Sequence, residues 1–255
     1  MIESSQADSV LTLKFSRPPS NALTRKMLSD LRRALDSASR DADVRCVVLG
    51  TALEKYFSSG LDLDDIFAPG QSDRSAVFLE LLDTHRLLAR FPKPTLAAIR
   101  GTAMLGGWIL AMACDFRLLA RETGRIALSE IRFGLTPTEF LLRRLRAIGA
   151  DAVLVKELVL KGRTLKAEEA EAGGFVDRLV ASDDMDAETA AEARKLSKMA
   201  PQAYASIKRS WADSAGAEDE ELWTQSRAEF TRLISGEEAK EGLAAMKEKR
   251  RARWE

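Results

Sequence analysis

The chain contains 255 residues, of which 45% are hydrophobic, and its 39 lysine and arginine residues balance 39 aspartate and glutamate residues. This length and composition supply a sizeable core, either in one large domain or in a domain with an appendage. The zero net charge gives no reason to expect binding to nucleic acid or to an acidic membrane surface, and no apolar run reaches the roughly 18 residues of a membrane span.

Two reactive residue types are scarce, which argues against several kinds of site. Cys46 and Cys114 are the two cysteines, and both lie in apolar runs typical of small core residues in a reducing compartment, not of a disulfide or metal pair. His85 is the one histidine, and the sequence offers it no obvious serine or cysteine partner. A Ser-His-Asp hydrolase and a zinc site are therefore disfavoured. Residues 1–9 are polar and contain no apolar signal core, so we expect a cytoplasmic protein.

The first elements form a strand–helix–strand unit. Residues 10–15 alternate apolar and polar side chains, which predicts a strand. A proline pair ends this strand, and Ser20 or Asn21 is expected to cap the helix predicted over residues 23–39. Residues 44–49 form a continuous apolar run, which predicts a strand buried on both faces. This order favours a parallel, right-handed crossover.

A similar unit follows. Helices are predicted over residues 62–67 and 76–91, and a buried strand over residues 95–99. Gly106 and Gly107 then precede an apolar run long enough for a buried helix. Such a glycine pair lets the backbone approach a ligand, and the free N–H groups at the positive end of the helix suit a developing oxyanion. The alternative is that the pair only permits close packing of strand and helix.

A second turn strengthens the first interpretation. Residues 56–63 follow the strand at 44–49 and carry Gly60 at their turn. Two strand–turn–helix junctions of this kind would supply two backbone N–H donors to one oxygen atom.

The second half of the chain is predominantly helical. Strands are predicted over residues 115–120, 125–128 and 175–180. Helices are predicted over residues 137–148, 151–161, 166–172, 186–199, 201–214 and 217–248. Gly236 interrupts the last of these, and residues 237–253 would form a charged terminal helix.

The motifs together resemble those of the crotonase (enoyl-CoA hydratase/isomerase) superfamily. They are RPPSNAL at 17–23, FSSGLDL at 57–63, KPTLAAIRGTAMLGG at 93–107, ACD at 113–115 and SEIRFGL at 129–135. The resemblance implies an α/β fold, with a spiral core of ββα turns over residues 1–198. It also implies a C-terminal helical region, residues 199–255, that takes part in assembly into trimers or hexamers.

The resemblance also implies a site for a thioester of coenzyme A. The N–H groups of Leu61 and Gly106 would form the oxyanion hole, and coenzyme A would enter as part of the substrate, with no tightly bound cofactor and no metal. Arg25 and Lys26 are suited to its phosphate groups. The basic residues at 247–253 are either a solvated face or a further phosphate contact. The residues expected to bind coenzyme A are Ala22, Arg25, Lys26, Ser59, Gly60, Leu61, Asp62 and Leu63.

The acid–base residues depart from the hydratase pattern. Hydratases of this superfamily typically use two glutamates, and the first of these positions is occupied here by Ile109. The second position matches Glu130, which becomes the main candidate base; otherwise it is a surface carboxylate, for instance one paired with Arg132. Glu139 is a second candidate proton carrier, or else simply an acid in the first turn of a helix.

One carboxylate without a partner favours isomerisation over hydration. A single base can remove a proton at C2 of a 3-enoyl thioester and return it at C4, whereas hydration also needs an activated water molecule. The pattern is similar to that of the Δ3,Δ2-enoyl-CoA isomerases, although Leu105 replaces a small residue common in that turn. The alternatives are a hydratase, decarboxylase or thioester hydrolase that uses Glu139, and a non-catalytic protein that binds acyl-CoA.

Overall fold

The computed structural model describes residues 1–67 and 75–254, which form ten strands and eleven α-helices. The strands are β1 (Ile2–Ala7), β2 (Val10–Phe15), β3 (Cys46–Thr51), β4 (Tyr56–Ser58), β5 (Thr95–Ile99), β6 (Thr102–Met104), β7 (Phe116–Ala120), β8 (Arg125–Ala127), β9 (Thr164–Lys166) and β10 (Arg178–Val180). The helices are α1 (Arg25–Arg40), α2 (Leu63–Ile66), α3 (Ser75–Ala89), α4 (Gly106–Ala113), α5 (Thr138–Ala147), α6 (Ala152–Leu160), α7 (Ala167–Ala172), α8 (Met185–Leu196), α9 (Pro201–Ser214), α10 (Glu220–Ile234) and α11 (Glu237–Lys247). Two 3-10 helices span Glu130–Phe133 and Ser182–Asp184.

The strands form two sheets that the chain enters alternately. The larger sheet has the order β1-β2-β3-β5-β7-β10, and the smaller has the order β4-β6-β8-β9. Within the larger sheet β1 and β2 pair antiparallel, and all later neighbours pair parallel. Each of the successive pairs β3/β4, β5/β6 and β7/β8 therefore gives one strand to each sheet. This repetition confirms the predicted spiral of ββα turns.

Helix α4 lies at the centre of the core. All eight of its residues are buried, and it packs against α3, α5 and β6. Trp108 is fully buried and lies 6.4 Å from Phe175 between ring centroids, as expected for a packing residue. Because its surroundings are dense on every side, α4 has little freedom to move relative to the sheets.

Several element ends differ from the sequence-based expectations. Helix α1 is capped by Thr24, whose side chain accepts a hydrogen bond from Met27 N–H, instead of by Ser20 or Asn21. Asn21 has a positive φ of 53° and is buried. The terminal helix ends at Lys247 instead of continuing to residue 253, because Lys249 turns into the left-handed region at φ 54°. The three-residue strands β4, β6 and β9 were not predicted, since so short a segment has no clear periodicity.

The C-terminal helices fold back on the same chain. Helix α10 packs against α3 and α5, and α11 packs against the 3-10 helix that begins at Glu130. Helix α9 leaves Ile207 and Trp211 largely exposed. Within residues 1–67 and 75–254, no helix is both long and apolar enough to cross a membrane.

Candidate active site

The backbone at Leu61 is oriented by the strand-like segment beside it. Gly60 accepts a hydrogen bond from Leu23 N–H at 2.7 Å, and Asp62 N–H donates to Leu23 O at 2.9 Å. Since alternate groups along an extended backbone point to opposite sides, the N–H of Leu61 points away from Leu23. Within the described residues this N–H makes no hydrogen bond.

The second turn lies at the beginning of α4. Leu105 N–H donates to Ala127 O at 2.8 Å, and Leu105 adopts φ 47° and ψ −121°, a backbone conformation unusual for a residue with a side chain. Gly106 is the first residue of the helix, where an N–H has no intrahelical partner. In the described part of the chain its N–H is not hydrogen-bonded. Strained backbone of this kind is concentrated at functional sites.

The two turns are in direct contact. A Cβ atom added to Gly60, which has φ 98°, would lie 3.4 Å from Gly106 N and 2.9 Å from Leu105 Cβ. A Cβ atom on Gly107 would lie only 2.6 Å from Ser58 O. Glycine is therefore required at both positions, and the close approach places Leu61 and Gly106 in the lining of one cavity.

Glu130 lies in that cavity at the first position of its 3-10 helix. The residue is 4% exposed, and its Oε2 atom has no hydrogen-bond partner within the described residues. Burial raises its pKa to about 8, an effect only partly offset by a hydrogen bond to its own backbone. Within the described residues, Glu130 forms no ion pair with Arg132. The Glu130 carboxyl group is thus buried, with a raised pKa, in the same cavity that Leu61 and Gly106 line.

The cavity has a volume of about 60 Å³ and an apolar wall. Helices α10 and α11 form one side of it, a contribution that no sequence motif indicated. Of the described residues that line it, Glu130 is the only one that can ionise. The lining residues are Leu61, Leu63, Ile66, Phe78, Leu81, Leu105, Gly106, Glu130, Phe133, Leu135, Phe230, Ile234, Leu243 and Met246.

Ile109 occupies the position of the absent first glutamate. It is fully buried in α4, and its carbonyl oxygen accepts a hydrogen bond from Nδ1 of His85 at 2.8 Å. Burial lowers the pKa of His85 to about 3, so this histidine is neutral at physiological pH. His85 therefore serves as a buried structural donor and is not part of a hydrolytic triad.

Glu139 lies outside the cavity. It is in the first turn of α5, exposed, and paired with Arg143, whose Nη2 atom is 2.8 Å from its Oε1 atom. Arg143 also approaches Asp219, with 3.3 Å between Nη1 and Oδ2. The structure therefore does not bring Glu139 together with Glu130, Leu61 and Gly106.

The predicted coenzyme A residues surround the Leu61 turn and differ in their roles. Asp62 is buried, caps α2 and pairs with Arg17 at 2.5 Å. The hydroxyl groups of Ser59 and Ser20 are hydrogen-bonded, with 2.9 Å between the two Oγ atoms. Leu63 lines the cavity. The backbone oxygen of Ala22 accepts a hydrogen bond from Arg17 Nη1 at 3.1 Å.

The predicted phosphate-binding cations lie outside the cavity wall. Arg25 Nε is 3.4 Å from an oxygen of Glu80, and Lys26 Nζ is 2.9 Å from an oxygen of Asp30. In the basic tail, Arg250 pairs with Glu241 and Glu248, whereas Lys247 Nζ lies 3.7 Å from Oδ1 of Asp64, beside the Leu61 turn. No cluster of side chains suited to a metal ion is found in residues 1–67 and 75–254.

Known proteins share this architecture. The probable enoyl-CoA hydratase echA8 of Mycobacterium bovis is 32% identical over 252 residues, which cover 98% of this chain and 95% of that protein. The crystal structure of methylmalonyl-CoA decarboxylase in complex with 2-nitronate-propionyl-CoA aligns at a TM-score of 0.85 with 25% identity, covering 100% of this chain and 98% of the other. Human mitochondrial delta3-delta2-enoyl-CoA isomerase aligns at a TM-score of 0.88 over 97% of both chains, and at 22% identity this likeness concerns the fold alone.

A family model also matches nearly the whole sequence. The model, described as enoyl-CoA hydratase/isomerase, covers residues 5–255. This match agrees with the likeness in fold to the solved structures. The chain therefore belongs to the enoyl-CoA hydratase/isomerase family.

Proposed function

We propose that this protein moves the double bond of a 3-enoyl-CoA to give the 2-enoyl-CoA, with Glu130 as its single acid–base residue. One observation carries the proposal: Glu130 is the only ionisable side chain among the described residues lining the cavity that holds Leu61 and Gly106. Ile109, at the position of the first glutamate of the hydratase pattern, cannot transfer a proton.

The reaction needs one proton carrier and one anion site. Ionised Glu130 removes a proton from C2 of the substrate, and the electron pair moves onto the thioester oxygen. The N–H groups of Leu61 and Gly106 stabilise the dienolate that results. Glu130 then returns the proton at C4, and the double bond between C3 and C4 becomes one between C2 and C3. No atom is gained or lost, so no water molecule is required.

The cavity wall favours a hydrocarbon acyl group. Its described lining contains no cation, so a second carboxylate on the acyl group, as a decarboxylation substrate would carry, has no counter-ion there. Coenzyme A itself would run along residues 59–63, and Arg25 and Lys26 would meet its phosphates. We also propose a cytoplasmic protein that assembles as a trimer or as paired trimers.

A hydratase is the second candidate, since a relative with 32% identity carries that name. Hydration would need Glu130 to act alone on a water molecule, or Glu139 to move from its exposed pair with Arg143 into the cavity. In the first route a single carboxylate would have to activate water and deliver a proton, and in the second route Glu139 would have to leave its ion pair with Arg143.

Paired substrates separate these reactions. Incubation with a 3-enoyl-CoA should produce the conjugated 2-enoyl thioester, followed by its ultraviolet absorbance, with little 3-hydroxyacyl-CoA. Replacing Glu130 by Gln should lower this rate at least roughly 10²-fold, a typical contribution of a positioned general base. The Glu139→Gln variant is the matched control and should change it little. Efficient hydration of 2-enoyl-CoA, or equal losses in both variants, would contradict the isomerase assignment, and tight binding without turnover would indicate a binding protein.

A further inference from the structure

The C-terminal end of α4 is held by two arginines from other elements. Arg144 on α5 donates from Nε to Met112 O at 2.8 Å. Its Nη2 atom donates to Ala113 O at 3.3 Å and to Cys114 O at 3.1 Å. Arg117 Nη1 also donates to Cys114 O, at 2.8 Å. Carbonyl groups at the end of a buried helix have no intrahelical partners, so these bonds satisfy groups that would otherwise be costly to bury.

The two arginines differ in their counter-ions. Arg117 is paired with Asp177 at 2.9 Å. Arg144 is 5% exposed and has no carboxylate partner among the described residues. Asp115, the other acid near it, is paired with the buried Lys208 at 2.9 Å. Burial lowers the pKa of Arg144 to about 10, so it remains protonated at neutral pH. Among the described residues, three cations (Arg117, Arg144 and Lys208) face two carboxylates (Asp115 and Asp177), so a net positive charge lies at this end of α4.

The opposite end of the same helix carries the predicted anion site. Helix α4 has eight residues, so its ends are about 12 Å apart. Gly106 lies at the N-terminal end, where the helix dipole is positive. Arg144 offsets the negative end of that dipole. Because every residue of α4 is buried, water screens this charge far less than it screens a charge on the surface.

We propose that Arg144 is a positioning residue for the oxyanion hole. It holds the far end of α4 through three carbonyl groups, and its charge favours negative charge on the thioester oxygen beside Gly106. This inference rests on the proposed function in one respect, namely that an anion forms next to Gly106.

A bound 3-ketoacyl-CoA provides a direct test, because its enolate absorbs in the near ultraviolet. The pH at which the bound ligand ionises reports how strongly the site stabilises the anion, whatever reaction the enzyme catalyses. The Arg144→Met variant should raise this pH by roughly 0.7 unit, the effect expected of a unit charge about 18 Å away (the helix length plus a hydrogen bond at each end) at an effective dielectric of about 20. The Arg144→Lys variant keeps the charge and should shift the ionisation pH of the ligand less. The Arg144→Gln variant should shift it about as much as Arg144→Met does.

The Arg146→Met variant is the matched control, since it removes the same charge from an exposed position of α5. It should leave the ionisation of the ligand unchanged. In the double-bond shift, Arg144→Met should lower kcat about five-fold with little change in KM, because the anion is stabilised after binding. If the Arg144→Met variant does not fold, the ionisation pH of the ligand in Arg144→Lys is compared with that in Arg144→Gln, and this difference tests the role of the charge.

The outcomes separate the two proposals. If the wild type ionises the ligand and Arg144→Gln does so at the same pH, the role of Arg144 is overturned while the oxyanion hole stands. An equal shift in Arg146→Met would likewise overturn it. A wild type that never ionises the bound ligand would overturn the oxyanion hole itself, and the role of Arg144 with it.

Discussion

Burial determines the protonation of Glu130, and this has a consequence for activity. Its pKa is raised to about 8 because burial disfavours the charged carboxylate, and no cation among the described lining residues compensates it. The base must be ionised to remove a proton, so kcat/KM for the 3-enoyl-CoA should rise with pH and level off above about 8. A pH–rate profile of the free enzyme measures this directly. A midpoint near 4.5, the ordinary value for a glutamate, would show that the site is wetter than the structure indicates.

Glu130 also affects stability: as the pH rises, activity should increase whereas the free energy of unfolding should decrease. Below about pH 4.5 the carboxyl group is protonated in both states, so it carries no penalty. Between about 4.5 and 8 the unfolded chain releases the proton while the folded chain keeps it, and the free energy of unfolding falls. Replacing Glu130 by Gln removes this loss. The variant should equal the wild type in acid and exceed it by on the order of a few kcal/mol above pH 8, measured by urea unfolding. A difference independent of pH would contradict this account.

At the scale of elements, the beginning of α4 allows a matched pair of substitutions. Gly106→Pro deletes the N–H donor at a position where proline is conformationally favourable in helices. Gly106→Ala keeps the donor, and its Cβ atom would lie 3.1 Å from a side-chain end of Leu81, 3.3 Å from one of Leu23 and 3.5 Å, an ordinary contact, from Gly60 Cα. Proline should therefore lower kcat about 10²-fold or more, whereas alanine should retain most activity if both variants fold, as judged by circular dichroism. Equal activity of the two variants would exclude this N–H from the mechanism.

The C-terminal elements show the limit of local patterns. Helix α9 was predicted over residues 201–214 and has these bounds in the structure. Helices α10 and α11 were expected within residues 217–253. Their position over the cavity was not predicted, because amphipathic spacing reveals an apolar face but not the surface that the face covers. Gly242 of α11 lies so close to Phe133 that a Cβ atom would be 2.6 Å from its backbone. This close contact positions α11 beside the 3-10 helix that begins at Glu130.

At the scale of the whole molecule, α9 presents an exposed apolar face. Ile207 is 68% and Trp211 56% exposed, and an exposed apolar pair of this kind on one helix is a candidate contact surface. If the chain assembles as proposed, the Ile207→Ser/Trp211→Ser variant should shift the mass measured by light scattering toward the monomer. The exposed Val153 and Leu160 on α6 provide a control pair of serine substitutions. A monomeric wild type would contradict assembly, and equal dissociation by the control pair would show that α9 has no special role.

The sequence by itself determined the elements with strong periodicity, such as β2, β5 and α9, and the family motifs around Gly60, Gly106 and Glu130. Their signals are local: alternation, apolar runs and glycine turns depend on neighbouring residues only. The tertiary structure alone decided that Glu130 is buried, with no hydrogen-bond partner for Oε2 among the described residues, and that Glu139 is exposed beside Arg143. Both are acidic residues near a helix start, and only contacts with distant segments distinguish them. The same holds for Arg144, whose role depends on carbonyl groups about thirty residues away along the chain.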